Sequence, residues 1–272
     1  MTTAGIPATR ARPRSCPCED ERVRIGLIHP GEMGAAIGAQ LVARGHQVLW
    51  LPAGRSAQTA RRAADAGLTG VERFDDEVEV ILSVCPPHAA VEVARSFAGT
   101  PALFIDANAV SPQTAQSIGE LIGERWVDGG IIGPPPSSAG TTRLYLSGPR
   151  ADEGAAIFHG TNVESVVVDG SPVAASALKL SYAAWTKGSA ALLLAARAAA
   201  QATGVEDALL AEWSRSQPDL EARWHSAADS AASKGWRWAG EMLEIASMFE
   251  QAGLPRGFHE AAAEVFDSTP RR

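Results

Sequence analysis

The chain has 272 residues, 46% of them apolar and 20% charged, with 26 Gly, 17 Pro and 3 Cys. That length holds one large domain or two modest ones with real cores, and the composition excludes disordered and collagen-like chains. With 24 Lys+Arg against 31 Asp+Glu the net charge is −7, so no basic footprint serves nucleic acid or an anionic membrane, and a small anionic ligand needs a local site.

Residues 1–22 carry basic side chains but no apolar stretch of signal-peptide length, and are expected to be a flexible N-terminal extension. From Val23 short apolar runs alternate with Ala-rich amphipathic stretches. Val23 to Ile28 reads as a strand, Met33 to Arg44 as a helix, Gln47 to Leu51 as a strand and Ala57 to Ala66 as a helix ending at Gly67. Val78 to Val84, Ala102 to Asp106 and Glu124 to Asp128 read as further strands, most followed by a helix candidate. Strands joined by helical crossovers form a parallel sheet covered on both faces. An α/β Rossmann domain with a doubly wound parallel sheet is therefore predicted over residues 23–170, with ligand sites at the carboxyl ends of its strands.

The texture changes at Ser171-Pro172, a good N-cap followed by the helical position that tolerates Pro. No strong breaker follows until Gly204, which predicts a helix of about thirty residues, roughly 45 Å long. Its apolar residues, among them Leu178, Leu180, Tyr182, Trp185 and Leu192, are spread around the circumference, as expected of a helix buried between domains or subunits. Helices are also predicted at Glu206 to Arg215, Leu220 to Ala232, Gly235 to Ala252 and Phe258 to Phe266. Residues 171–272 are thus read as an all-helical substrate and dimerisation domain. The Ala190 to Ala196 run is too short to span a membrane.

Cys16, Cys18 and Cys85 offer neither a disulfide framework nor zinc-ligand spacing, so a reducing cytoplasm is the natural compartment. The histidines His46, His159, His225 and His259 are scattered, and no catalytic metal is expected.

The segment from Val23 to Gly34 is a strand, a tight turn and a helix start. In a dinucleotide-binding turn the glycines let the backbone approach a pyrophosphate, whose charge sits on the free N–H groups of the helix N-terminus. Gly31 and Gly34 supply the second and third glycines, while His29 stands in place of the first. His29, Pro30, Gly31, Glu32, Met33 and Gly34 are therefore cofactor-binding candidates; the alternative is a glycine turn without a ligand. The second strand ends in Leu51-Pro52-Ala53-Gly54-Arg55-Ser56, without the carboxylate that would hold a ribose 2′-OH. Arg55 and Ser56 can instead hold a 2′-phosphate, which favours NADP(H) over NAD(H). An ordinary solvated Arg55 is the alternative.

These residues, together with Val84-Cys85-Pro86-Pro87, Ile105-Asp106-Ala107-Asn108, Val127 to Gly133 and a lysine on the long helix, resemble the β-hydroxyacid dehydrogenases. That superfamily includes 6-phosphogluconate and 3-hydroxyisobutyrate dehydrogenases. The chain looks most like its branch of bacterial NAD(P)-dependent oxidoreductases with a 6-phosphogluconate dehydrogenase C-terminal-like helical domain, over Val23 to about Asp267. The resemblance implies that Lys179 is the general acid and base at an alcohol or carbonyl oxygen. The chemistry suits a partly desolvated ammonium, whereas a lysine snorkelling to solvent is the alternative. It also implies that Cys85 and Pro86 pass the cofactor, that Asn108 bonds the ribose or carboxamide (or is a helix N-cap or Asx-turn), and that Lys234 begins a partial match to a late cofactor-contacting segment.

The resemblance makes Asp128, Gly130, Ile132 and Gly133 part of the substrate loop, with Ile132 where a carboxylate-binding serine is usual. Ala183 stands where a substrate-holding asparagine is usual, and Tyr182, Thr186 and Lys187 are near enough along the helix to replace it. Arg143 is a candidate anion clamp. Trp236 and Trp238 are expected in the core or at a dimer interface. The resulting expectation is an NADP(H)-dependent oxidoreductase interconverting a carbonyl and an alcohol in a small acidic substrate, forming a homodimer through its helical domain. An imine reductase and a non-catalytic dinucleotide-binding module are the competing readings.

Overall fold

The computed structural model describes residues 22–270, so the expectations for residues 1–21, including Cys16 and Cys18, lie outside the described residues. The first part alternates strands and helices: β1 (Arg24–Ile28), α1 (Glu32–Ala43), β2 (Gln47–Trp50), α2 (Ala57–Asp65), β3 (Thr69–Gly70), β4 (Val80–Ser83), α3 (Pro87–Ser96), β5 (Leu103–Asp106), α4 (Pro112–Ile122) and β6 (Trp126–Ile132). Then come β7 (Thr142–Ser147), α5 (Ala151–Ala156) and β8 (Val163–Val167). One sheet holds all eight strands in the order β3-β2-β1-β4-β5-β6-β7-β8. Adjacent strands bury alternate residues on opposite faces: Ile25, Leu27, Leu103 and Ile105 join one core cluster, while Ile28, Leu49, Ile81 and Phe104 join the other. The predicted Rossmann-like domain and the helical region after it are both present.

The sheet departs from the expected all-parallel form at one edge, because β6 pairs β7 antiparallel and β7 pairs β8 in parallel. The reversal is made in the loop after β6, where Gly133 adopts φ +123° and a Cβ would lie 2.2 Å from the Thr141 carbonyl oxygen. In addition, β6 runs to Ile132 rather than ending at Asp128.

Four helices follow: α6 (Ala174–Ala202), α7 (Glu206–Ser216), α8 (Leu220–Gln251) and α9 (Gly257–Asp267). Ser171 does not cap α6, which starts at Ala174 with Val173 flanking it. Its first turn is satisfied from the sheet instead: Ala175 N–H donates to Ser147 Oγ at 2.9 Å, and Ser176 N–H and Oγ–H donate to the Asp128 carboxylate at 2.8 and 2.5 Å. One continuous α8 replaces the two helices expected on either side of Ser233. Gly235 does not break it but faces α9 closely, where a Cβ would lie 3.1 Å from the Phe266 carbonyl oxygen. The helical core gathers Leu180, Ala183, Met242, Ile245 and Phe266, while Trp185 and Leu192 on the far side of α6 are each 71% exposed. Among the described residues no helix is long and apolar enough to cross a membrane.

Candidate functional site

At the carboxyl end of β1 the chain turns through His29 at φ +61°, the only non-glycine residue of positive φ among those described. His29 thus takes the left-handed conformation that glycine adopts without cost, which is why the turn closes despite the missing first glycine. Gly34 is needed for a separate reason: a Cβ there would lie 2.7 Å from the His29 carbonyl oxygen. Burial chiefly, and then Arg55, holds the His29 imidazole down to about 4, so the ring is neutral at physiological pH.

This turn forms one wall of a cleft of about 430 Å³. His29, Gly31, Glu32, Met33 and Gly34 line it, as do Cys85 and Pro86 after β4, while Pro30 is buried beneath. The second wall carries Arg55 together with Thr59 and Arg62 from α2, two residues the sequence reading missed although they stand one and two turns into the helix that follows Arg55. Ser56 is the N-cap of α2, accepting from Thr59 N–H at 3.2 Å, and is not among the lining residues. The third wall comes from α8, which contributes Trp236, Arg237 and Glu241, whereas Lys234 is exposed and outside the cleft. The residues present fit a dinucleotide. The cradle under Gly34 leaves no room for a side chain, the α1 N-terminus offers free N–H groups, and the guanidinium groups of Arg55 and Arg62 line the same cleft.

Behind that third wall lies a buried ionic cluster. Glu241 is 7% exposed, and its two carboxylate oxygens each accept from a lysine of α6: Oε1 from Lys179 Nζ at 3.0 Å and Oε2 from Lys187 Nζ. Burial alone would raise the Glu241 carboxyl, but Lys179 and Lys187 outweigh it and hold it down at about 2. Burial lowers Lys187 to about 8 against the opposing pull of Glu241, helped by the like charge of Lys179. The Lys187 ammonium also lies 5.3 Å from the centre of the Trp238 ring. Lys179 is not among the lining residues, but its partner Glu241 is. Gly130 of β6 makes this placement possible, because a Cβ there would lie 2.7 Å from Lys179 Cβ and 2.8 Å from the Ala175 carbonyl oxygen.

A second polar feature crosses the sheet. Ser83, Asp106, Asp128 and Ser147 stand in register on β4, β5, β6 and β7, all at most 1% exposed. The Asn108 side chain is used up within it, accepting from Cys85 N–H at 2.5 Å and donating to Ser83 Oγ at 3.0 Å and to Asp106. Asn108 therefore fastens the β4 loop to β5 and is not a helix cap, since Ser111 caps α4. Likewise Asp128 is occupied by Ser147 and Ser176 and joins the sheet to α6. Burial pushes the Cys85 thiol up to about 12, which leaves it protonated and unreactive as a nucleophile.

The remaining substrate candidates are not brought together with these groups. Ile132 is 5% exposed, Gly133 belongs to the reversing loop, and Ala183 is 1% exposed within the helical core. Tyr182 is 51% exposed, and Thr186, which donates to the Tyr182 carbonyl oxygen at 3.1 Å, lines a different cavity between α6 and α8. Arg143 donates to the Gly140 carbonyl oxygen and lies outside the cleft. Trp238 packs edge-on against Phe266 in the helical core, whereas Trp236 faces the cleft. Among the described residues no three His, Cys, Asp or Glu side chains are grouped to hold a metal.

The fold is of the hydroxyacid dehydrogenase-like, NAD(P)-binding type that the sequence resemblance implied. Residues 24–110 match the family described as NADP oxidoreductase, coenzyme F420-dependent, and residues 200–269 match a domain of unknown function (DUF1932). A solved conserved protein of unknown function, described as structurally similar to 3-hydroxyacid dehydrogenases, is 28% identical; the match covers 91% of this chain and 96% of that one, at a TM-score of 0.68. An uncharacterized 28.5 kDa protein of Methanothermus fervidus is 29% identical over 193 residues, 69% of this chain and 75% of that protein. The fold alone is shared with a 3-hydroxyisobutyrate dehydrogenase of Salmonella typhimurium (14% identity, 90% and 93% coverage, TM-score 0.63). The same holds for a reductive aminase of Aspergillus terreus solved with NADPH (16% identity, 90% and 93% coverage, TM-score 0.56).

Proposed function

We propose that the chain is an NADP(H)-dependent oxidoreductase that interconverts a carbonyl and an alcohol in a small acidic substrate, with Lys179 as the acid/base group. The observation that carries this reading is the buried Lys179–Glu241 pair, which sets an ammonium one hydrogen bond behind the wall of a dinucleotide-shaped cleft. A nicotinamide dinucleotide bound there supplies or accepts the hydride. Lys179 Nζ would give a proton to the developing alkoxide oxygen in reduction and take one back in oxidation, with Glu241 holding the side chain between events. Arg55, Arg62 and Thr59 support NADP(H), since together they offer two guanidinium forks and a hydroxyl to a 2′-phosphate. The NADPH of the Aspergillus terreus reductive aminase points the same way.

Arg237 supports an acidic substrate. It faces the cleft one helical turn from Glu241, and among the described residues it makes no hydrogen bond or ion pair. It would anchor the carboxylate in place of Ile132, Ala183 or Arg143. The exposed apolar strip of Trp185, Leu192 and Phe258 on α6 and α9 supports a homodimer through residues 171–272, and the free thiol of Cys85 agrees with a reducing cytoplasm. The imine reductase reading is less favoured because Tyr182, which would carry its proton, is 51% exposed and lacks the bond to a cleft-lining residue that Lys179 has to Glu241.

NADPH consumption with a panel of β-ketoacids, semialdehydes and cyclic imines tests the proposal. Lys179→Met is expected to lower turnover of the best carbonyl compound about 10²-fold or more. Turnover indifferent to that change, or confined to imines, would reject the mechanism; tight NADPH binding with no turnover would point to a non-catalytic module.

A further inference from the structure

Resting on that reading, we infer that Glu244 is a positioning residue that completes the N-terminal cap of α4 from α8 and so seats the α8 wall opposite the dinucleotide turn. Ser111 opens α4 in the manner of a capping box, its Oγ accepting from Thr114 N–H at 3.2 Å. The other half of such a box is a Glu or Gln side chain at the position of Thr114, reaching back to the N–H of the capping residue. Thr114 is too short for that, and Glu244 supplies the carboxylate from 133 residues further along the chain. Its Oε2 accepts from Ser111 N–H at 2.7 Å and from Thr114 Oγ1 at 3.1 Å. Ser111 is buried, so its N–H depends on this partner, and the negative charge lies at the positive end of the α4 dipole.

The joint bears on the cleft through the groups on either side of it. On the Rossmann side, Ser111 ends the loop after β5, whose Ala109 lines the cleft and whose Asn108 fastens Cys85. On the helical side, Arg237, Glu241, Glu244 and Gln251 follow one another at four, three and seven residues, which places them on one stripe of α8. Arg237 and Glu241 line the cleft, while Gln251 Nε2 donates to Gln113 Oε1, in the first turn of α4, at 2.6 Å. Glu241 stands one turn before Glu244, about 4.5 Å along the axis, so a shift of α8 at the joint carries with it the carboxylate that Lys179 bonds. The other long helix is fastened separately, because Asp128 and Ser147 hold the start of α6 to β6 and β7. Loss of Glu244 would therefore move Trp236, Arg237 and Glu241 against the turn while α6 stays on the sheet.

The test measures turnover, cofactor binding and the position of α8 separately in the full chain. Glu244→Ala should lower kcat/KM for the best carbonyl compound about ten- to a hundredfold. The Kd of NADPH should change far less, because the glycine turn, Arg55 and Arg62 are untouched. Glu244→Gln, which keeps an acceptor oxygen in place, should recover most of the loss. The position of α8 is read from energy transfer between Trp236 and bound NADPH, taken as the part of the sensitised NADPH emission that Trp236→Phe removes in each background. That part should fall in Glu244→Ala and return in Glu244→Gln.

Thr114→Glu in the Glu244→Ala background separates positioning from plain stabilisation, since it gives α4 a capping box of its own but no bond to α8. Its thermal midpoint should climb back toward the wild-type value while turnover and energy transfer stay low. Turnover and transfer that return with the midpoint overturn the inference, as does a Glu244→Ala chain that matches the wild type in both. If the wild type binds NADPH but turns over no compound of the panel, the oxidoreductase reading falls by itself, and the energy transfer alone decides whether Glu244 seats α8. A wild-type chain that binds no NADPH removes both.

Discussion

Replacing Asp106 by Asn should remove a pH dependence of stability that the wild-type chain owes to one carboxyl group. Asp106 is 1% exposed, its Oδ2 has no partner, and Asp128 stands opposite it on the next strand. Burial, and then the like charge of Asp128, push its carboxyl from 3.8 up to about 8. An acid raised in this way keeps its proton in the folded chain after the unfolded chain has lost it. Its contribution is therefore full below about pH 4 and is lost as pH rises through 8. At ~1.4 kcal/mol per unit, the loss between about pH 5 and pH 8 amounts to roughly 4 kcal/mol, a sizeable share of an ordinary folding free energy.

Other shifted groups act partly in the same range with the opposite sign. His29, lowered from 6.5 to about 4, adds stability as pH rises through that interval; Lys187, lowered from 10.5 to about 8, does so above it; Glu241, lowered from 4.5 to about 2, does so below it. Asn keeps the shape and still accepts from Asn108, so subtracting the variant's curve from that of the wild type cancels these contributions. Urea unfolding at constant ionic strength, at several pH values from 5 to 8, should show the variant gaining on the wild type by about 1 kcal/mol per pH unit. Curves that stay parallel across that range would falsify the argument, because Asp106 would then ionise as an ordinary surface carboxyl.

Gly130→Ala should cost about 1–3 kcal/mol in the same unfolding assay, since its methyl group would collide with Lys179 Cβ and the Ala175 carbonyl; an unchanged midpoint would mean that α6 is free to shift off the sheet. Arg55→Ala and Arg62→Ala should each weaken NADPH binding about tenfold or more while sparing NADH, as read by fluorescence titration. Equal losses for the two cofactors would remove the 2′-phosphate from the account.

Much of the Rossmann part was legible from short-range pattern. Strand β1 is a buried run leading into a glycine turn, and α2 begins at the capping Ser56, so local rules sufficed. Strand β7 was equally readable in retrospect, because Thr142, Leu144 and Leu146 are buried and alternate with Arg143 and Tyr145. The candidate site was legible only in part. Lys179 and the glycine turn carry local signals, but nothing near Glu241 in sequence marks it, and Lys187 lies 54 residues before it. Lys234, the expected late contact, stands exposed outside the cleft, which α8 lines with Trp236, Arg237 and Glu241.

What the sequence by itself determined is the order of strands and helices from β1 to β6, β3 aside, the turn that opens the cleft, and the long helix bearing Lys179. Those depend on periodicity, capping and turn chemistry, all of which act within a few residues. Tertiary structure alone decided the rest. It reversed β7 and β8 at the sheet edge and let Asp128 and Ser147 cap α6 in place of Ser171. It also joined two lysines to one buried carboxylate. The physical reason is common to all three: a buried polar group must find a partner, and the chain finds it wherever packing brings one, at any separation along the sequence.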